Sequence, residues 1–411
     1  MTHEGTFRRV TQVYSRRLVG ALVSIKSRYY SQPMLLTPEH EVLVKREGEK
    51  ELLWIPAIEV KQSDYLAFPI IRTEIDWTDV SKTMMGLIGY YLAEGDMPSE
   101  NRVRFNFGKH ERQLIEDTTQ RLIHEGYTFE KRRYYEDAQY REALRLHNEE
   151  KLGDRAIAKM LGIPRWTVVN WIYRGKKPFK RSPQPSYERI TVYSEQFANF
   201  FRQFGDKSEN KRIPTWAMLM SREKQAELVK CYWRGDGNIN RDSFGMVTVS
   251  EALAHQLKSL LLRFGIVASV TIIPPEAHGT SYIDGREIKA KHIAYMLRIG
   301  GKSLEAFSAL VGVKHPFMEK RKFTYEFCKR FGNYVVYPIK EISRVRYNGE
   351  VRNLAVEESQ SYVLPTMTVH NCDTDTLLNK DVIGSRTDKN QPVRIDVKKL
   401  LKRRIEVVAP V

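Results

Sequence analysis

The stretch Leu87-Ile88-Gly89-Tyr90-Tyr91-Leu92-Ala93-Glu94-Gly95 decides the fold, because Val229-Lys230-Cys231-Tyr232-Trp233-Arg234-Gly235-Asp236-Gly237 repeats its plan later in the chain. Each run ends in a carboxylate followed by glycine. Small residues stand one helical turn apart in both, Gly89 with Ala93 and Cys231 with Gly235, which lets two helix backbones approach closely. A glycine after the acid permits the left-handed backbone that stops a helix. A carboxylate at a helix C-terminus opposes the helix dipole, and two such acids repel. The pattern therefore calls for a compensating cation, and Mg²⁺ meets the need with oxygen ligands. An alternating segment follows each run, at 102–107 and at 244–249. The first carries Arg102 and Arg104, as a strand lying over a polyanion would.

Working outward, 411 residues predict two to four modules, and 42% hydrophobic content is ample for packed cores. A net charge of +17 argues for a polyanionic partner, most simply nucleic acid. Three cysteines, Cys231, Cys328 and Cys372, are too few and too scattered for a disulfide framework or a zinc site. No run of ~18 apolar residues occurs, and the start lacks the charged-then-apolar pattern of a secretory signal. The expectation is a soluble, intracellular (cytoplasmic) protein with no membrane partner.

Short strands rich in Val, Leu, Ile and Tyr, such as 21–25 and 41–44, are expected from residue 7 to about 72. Short strands return at 334–337 and 351–356. Between them the sequence turns helical at 82–91, again at 150–175 before the Lys- and Pro-rich 176–185, and again from Ala226. That layout predicts an all-β module interrupted by α+β material.

The two acid-ended runs resemble the paired motif of LAGLIDADG homing endonucleases, in which two such helices pack side by side. The resemblance implies that Glu94 and Asp236 bind the metals, Mg²⁺, that activate water and stabilise the leaving oxygen of a phosphodiester. Lys211-Arg212-Ile213-Pro214 and Leu297-Arg298-Ile299-Gly300-Gly301 also look like this family. Lys211, Arg212 and Lys302 are candidate basic residues near the phosphates.

The β-rich ends resemble the two halves of an intein's horseshoe-shaped (Hint-type) splicing domain. Thr37-Pro38-Glu39-His40 looks like the Thr-x-x-His block, in which His40 protonates the first scissile amide and Thr37 helps to hold it. Residues 54–66 resemble the strand segment that follows. His370-Asn371-Cys372 matches the penultimate His, the terminal Asn and the downstream nucleophile. The Asn side chain can attack its own carbonyl, close a succinimide and cut the chain, while His370 protonates the leaving amide. The family opens with Cys or Ser, whereas this chain opens Met1-Thr2-His3-Glu4-Gly5; it reads as N-terminally truncated, able to cleave after Asn371 but not to splice. Asn353 stands where the family usually has Asp, and Gln360 where it often has His.

Residues 154–171 resemble a helix-turn-helix. Ile157, Ala158, Leu161, Ile163, Val168 and Trp171 would form its core, with Gly162 at the turn. Arg165, Thr167 and Asn170 would face a major groove, while Arg174, Lys176, Lys177 and Lys180 neutralise phosphate. The tail after Asn371 resembles either the Asp-Thr-Asp motif of a family B polymerase host or a permuted intein opening block.

The expected organisation is multidomain. A Hint-type β module (1–75 and 334–371) is split by a first LAGLIDADG repeat (80–146), a helix-turn-helix-like insert (147–183) and a second repeat (184–333). A host-like tail (372–411) follows. The expected activity is metal-assisted double-strand cleavage of DNA at a long asymmetric site, by a monomer, with host exteins as further partners. The alternatives are a DNA-binding regulator and an inactive intein remnant.

Overall fold

The computed structural model describes residues 1–108, 110–131, 137–177, 187–277, 281–283, 286–319 and 327–371. The chain opens with strands β1 (Val10–Ser27), β2 (Met34–Leu36), β3 (Glu41–Lys45), β4 (Leu52–Pro56) and β5 (Tyr65–Pro69). Helix α1 (Lys82–Glu94) leads into β6 (Gly95–Ser99), β7 (Arg102–Gly108), α2 (Arg112–His124) and β8 (Glu130–Lys131). Then come α3 (Asp137–Asn148), α4 (Asp154–Leu161), α5 (Arg165–Ile172), β9 (Tyr187–Tyr193) and α6 (Glu195–Arg202). A second series runs α7 (Thr215–Met218), α8 (Arg222–Asp236), β10 (Gly237–Ile239), β11 (Ser243–Thr248), α9 (Glu251–Arg263) and β12 (Ala268–Ile273). It continues through β13 (Ser281–Ile283), β14 (Arg286–Ile288), β15 (Ala294–Gly300) and α10 (Ser303–Val311). The chain returns to strand in β16 (Lys329–Phe331), β17 (Tyr334–Val356), β18 (Ser361–Leu364) and β19 (Met367–His370).

The chain divides into two compact units, one drawn from Met1–Ala93, Phe201–His278 and Ala290–Val411, the other from Glu94–Phe200 and Gly279–Lys289. In the first, strands from both ends of the sequence join one sheet in the order β18-β19-β3-β5-β17-β1-β2, with β4 on β3 and β16 on β17. The expected short strands prove to be very long at its centre. β1 has 18 residues and β17 has 23, paired antiparallel from Val10↔Val356 to Ser27↔Ile339. Glu341, Arg344, Arg346 and Asn348-Gly349 break the apolar pattern of β17 yet occupy ladder positions, and Lys340 is the extra residue of a bulge opposite Lys26 and Ser27.

Ile25, Val42, Val44, Leu66, Phe68, Tyr337 and Val369 of this sheet share a core with Leu262 of α9 and Val267 beyond it. α8, α9 and α10 cover a second antiparallel sheet, β10-β11-β15-β12. Its inward residues Phe244, Met246, Leu297 and Ile299 are fully buried. The loop after β1 reaches this sheet, with Ser31 N donating to Val270 O (3.0 Å) and Val270 N to Tyr29 O (3.0 Å).

Lys258 of α9 is 1% exposed. Its ammonium donates to Pro365 O, close before β19, and lies 4.5 Å from the Tyr337 ring centroid. Burial pulls its pKa down to about 7, partly offset by Cys328. An unfolded lysine stays charged to about pH 10.4. Between those values the unfolded chain binds the extra proton, so stability rises with pH across that window and the full cost is felt below it. Lys258→Met is expected to flatten that rise and to raise the urea midpoint most at about pH 6. Equal midpoint differences at about pH 6 and about pH 10 would sink the assignment.

In the second unit β6-β7-β9-β8 form an antiparallel sheet. β7 alternates as expected, burying Val103, Phe105 and Phe107 and leaving Arg102 exposed. α3, α4 and α5 enclose a small core of Ala143, Leu146, Ile157, Ile163, Val168 and Trp171, with Ala158 and Leu161 packed against it. Gly162 ends α4 in the left-handed conformation at φ 63°. Among the described residues no helix is long and apolar enough to cross a membrane.

Candidate functional site

Helix α1 starts where the Ser81 hydroxyl accepts from Met84 N (2.8 Å), satisfying one of its free donors. Residues 84–92 are all buried. The glycine of the first motif sets how closely α8 can lie. A Cβ at Gly89 would stand 2.4 Å from Leu228 O and 2.8 Å from Cys231 Cβ, so even alanine requires the helices to part. The α8 side of the contact is steadied by Arg263, 5% exposed, whose Nη1 donates to Met218 O (3.2 Å), Met220 O (3.1 Å) and Gln225 Oε1 (2.7 Å). α1 ends at Glu94 and α8 at Asp236.

The glycines after these acids act differently from expectation. Gly237 is extended, at φ −88° and ψ 152°, and Gly95 is not among the positive-φ residues. A Cβ at Gly237 would lie 2.1 Å from Trp233 O. Close approach to the preceding turn, not left-handed backbone, requires glycine there.

Burial raises the Glu94 pKa from the ordinary 4.5 to about 7, and Glu111 pushes it the same way. Such an acid gains from a bound cation. Among the described residues no three His, Cys, Asp or Glu converge as a metal cage. Mg²⁺ typically takes only one or two carboxylates, with water and substrate phosphates completing its shell, so a lone carboxylate at each helix end fits it.

Basic candidates separate by exposure. Lys211 is 2% exposed, its Nζ donating to Tyr91 O (2.9 Å) and lying 3.3 Å from the centre of the Tyr91 ring. That placement suits a cap on the last turn of α1 better than a displayed phosphate contact. Arg212 and Lys302 are exposed. Arg102 lies over the Tyr193 ring (5.3 Å), and Arg104 Nε donates to Asp96 Oδ1 (2.8 Å). In the three-helix module Arg165 pairs with Asp154, Lys176 and Lys177 are exposed, and Thr167 is half-buried. The Asn170 Oδ1 is buried without a hydrogen-bond partner among the described residues, which is not the posture of a base-reading group. Arg174 stacks over exposed Trp166 (4.3 Å). Lys180 lies outside the described residues.

A second cluster forms in the nine-stranded sheet. His370 Nδ1 is 2.7 Å from Asn371 O; a carbonyl only accepts, so Nδ1 donates. The contact expected for His370 was the leaving amide; the one present is the carbonyl oxygen of the Asn371–Cys372 bond. Asn371 N donates to Gln360 O (2.7 Å). With its side-chain amide turned so that Nδ2 donates to Leu354 O (2.8 Å), Oδ1 accepts from Val356 N (2.9 Å). Trp54 packs edge-on against His370 (5.2 Å) and against His3 (5.8 Å). His3 Nδ1 is 2.7 Å from the buried Ser361 hydroxyl.

His40, 6% exposed, is bound back to its block by its N–H on Thr37 O (3.0 Å). Burial lowers its pKa to about 4; Glu39 opposes and His370 adds to the shift. His40 is therefore neutral at pH 7. Tyr362 hydroxyl donates to Asn353 Oδ1 (3.0 Å), while Asn353 Nδ2 is buried without a partner among the described residues. His3, Ser361 and Tyr362 were not singled out in the sequence, and Trp54 was noted only as part of the 54–66 segment, since strands distant in the chain bring them here. Cys372 and the tail 372–411 lie outside the described residues.

Comparison with known proteins defines a class for one segment: residues 223–312 match the LAGLIDADG-like domain family. The whole is a multi-sheet α+β fold that contains this domain. An uncharacterized protein of Methanocaldococcus jannaschii is 25% identical over 433 residues, covering 91% of this chain and 47% of that protein. The ATP-dependent DNA helicase Hel308 of Thermococcus kodakarensis is 23% identical, covering 90% of this chain and 34% of the helicase. An iron-sulfur cluster assembly SufBD family protein of Mycobacterium bovis is 28% identical, covering 90% and 39%. The chain thus spans less than half the length of these relatives. Among solved structures, the homing endonuclease I-DmoI in complex with DNA and Mn aligns with 57% of this chain and 99% of its own, at 10% identity and a TM-score of 0.32.

Proposed function

We propose that the chain is a site-specific DNA endonuclease of the homing type, carried within an intein-like β module. The observation that carries the reading is the close pair of α1 and α8, packed at Gly89 and each ending in an acid followed by glycine. The family match over 223–312 and the charge of +17 support it. Glu94 and Asp236 would hold divalent cations, most simply Mg²⁺. When bound, these lower the pKa of water and neutralise the leaving phosphodiester oxygen. The residues' own part is to keep carboxylate oxygens at fixed helix ends, while Arg102, Arg212 and Lys302 meet phosphate. Both motif copies lie in one chain, so a monomer suffices for both strands. Incubation of the full chain with Mg²⁺ and duplex DNA lacking the inserted element tests this, with a staggered double-strand cut as the expected product.

The intein part of the reading is supported by the seating of His370 on the Asn371 carbonyl. It is supported too by the recurrence of one segment in proteins named for unrelated tasks, a helicase and an iron-sulfur assembly protein. Asn371 would close on its own carbonyl, and His370 would stabilise the oxygen on which charge develops.

The α3–α5 module is read as a second DNA contact. Exposed Arg165, Trp166 and Arg174 are better placed for it than Asn170. Changing Arg165 and Arg174 to Ala is expected to shorten the DNA footprint on one flank and leave the cut position unchanged. A footprint of wild-type length would dispose of the module's role.

A further inference from the structure

The middle of the β1–β17 pair is a two-stranded ribbon. Between Tyr14↔Asn353 and Ala21↔Arg346 neither strand pairs with anything else. From Arg344 to Arg352 the exposure of β17 alternates strictly: Arg344, Arg346, Asn348, Glu350 and Arg352 are exposed, while the residues between them are half-buried. Alternate residues share a face, and directly opposed residues of an antiparallel pair share it too. Arg17, opposite Glu350, therefore joins that face, as do Val19, opposite Asn348, and Ala21, opposite Arg346. Val19 is 74% exposed.

The face holds four arginines against one acid. Glu350 is already engaged by Arg352 Nη2 (2.8 Å) and by the Ser15 hydroxyl. Arg17 Nη2 donates weakly to Asn348 Oδ1 (3.3 Å). Arg344 and Arg346 have no ion pair among the described residues. Residues two apart on one face of a strand are spaced about 6.8 Å along it. That matches the rise along the helix axis between every second phosphate of one duplex strand, at ~3.4 Å of axis per phosphate. A two-stranded ribbon also has the width that a DNA major groove admits.

We infer that this ribbon face is a duplex-DNA contact surface, with Arg17 and Arg346 on phosphates and Arg344 beside them at the ribbon's base, where its opposite residue Val23 is buried and joins β2. The surface belongs to the β module and lies outside the LAGLIDADG-like segment and the three-helix module. The inference rests on the endonuclease reading for its biological sense, but not for its test. It gives the β module a part in holding the DNA that the helical part would cut.

The test compares two triple variants of the full chain, Arg17, Arg344 and Arg346 to Ala and the same three to Lys. The probe is a linear duplex of arbitrary sequence, titrated over a salt series without divalent cation. The Ala variant is expected to bind about tenfold more weakly near 0.15 M salt, with a log-log salt slope reduced by roughly 2 to 3. The Lys variant keeps the charge and is expected to bind within about twofold of wild type. Unchanged affinity and slope in the Ala variant overturn the inference, as does equal loss in both variants, since charge is then not the cause. Stronger competition by single-stranded RNA than by duplex overturns the choice of ligand. Cleavage is scored separately, with Mg²⁺, on plasmid that carries the uninterrupted insertion site: loss of duplex binding by the Ala variant of a chain that leaves that site uncut supports the ribbon and removes the endonuclease, and the converse separates them the other way.

Discussion

Glu94→Gln and Asp236→Asn are each expected to abolish double-strand cleavage while duplex affinity stays near that of wild type. The carboxylates would contribute metal ligands, whereas basic groups elsewhere supply phosphate contacts. The pH profile makes the assignment sharper. Burial and Glu111 raise the Glu94 pKa to about 7, so below that value the cation has to displace a proton. The Mg²⁺ concentration for half-maximal cleavage is expected to rise about tenfold per pH unit below ~7 and to level off above it. The stability effect runs in a fixed direction. The folded carboxyl holds its proton up to about 7, the unfolded one only to 4.5, so the native state loses stability as pH rises through that window. Metal-free Glu94→Gln is therefore expected to be more stable than wild type above pH 7, although inactive. Wild-type cutting by either variant, measured on both strands, refutes the site.

Slow release of peptide 372–411 is the second large effect expected. Asn371→Ala is expected to stop it, because no side-chain amide remains to attack the carbonyl. His370 donates to that carbonyl oxygen, so His370→Ala removes an oxyanion donor and is expected to slow release about 10²-fold or more. His40→Ala is expected to matter less, since this neutral, buried histidine has its N–H bond to Thr37 O through the backbone, which alanine retains. Mass spectrometry of the folded chain checks all three. A succinimide on the upstream fragment identifies the chemistry, and an intact wild-type mass after long incubation rules it out.

These expectations draw on the sequence unequally. The repeated acid-ended helix was legible because glycine, cysteine and apolar residues at helical spacing are a local pattern, and α1 and α8 end at Glu94 and Asp236. The β7 alternation and the α4–α5 core were legible for the same reason. The extent of β17 was not. Its solvent-facing arginines and Asn348-Gly349 look like a turn until the 17-residue register with β1 is seen.

By itself the sequence determined the two acid-ended helices, the β7 alternation, the α4–α5 core and which residues carry a group able to attack a carbonyl, since all of these depend on neighbours a few positions away. Only the tertiary structure decided which of those groups are exposed and what each one faces. Lys211 and Asn170 read as surface contacts and are withdrawn into the fold, whereas Arg344 and Arg346, unremarkable in sequence, are exposed on β17 with no ion pair among the described residues. His370 faces a carbonyl rather than an amide, and His3 meets Ser361 from the far end of the chain. The physical reason is that burial and hydrogen-bond geometry are properties of strand register and packing. A one-residue change of register would send strand residues such as Arg344, Arg346 and His370 to the opposite face.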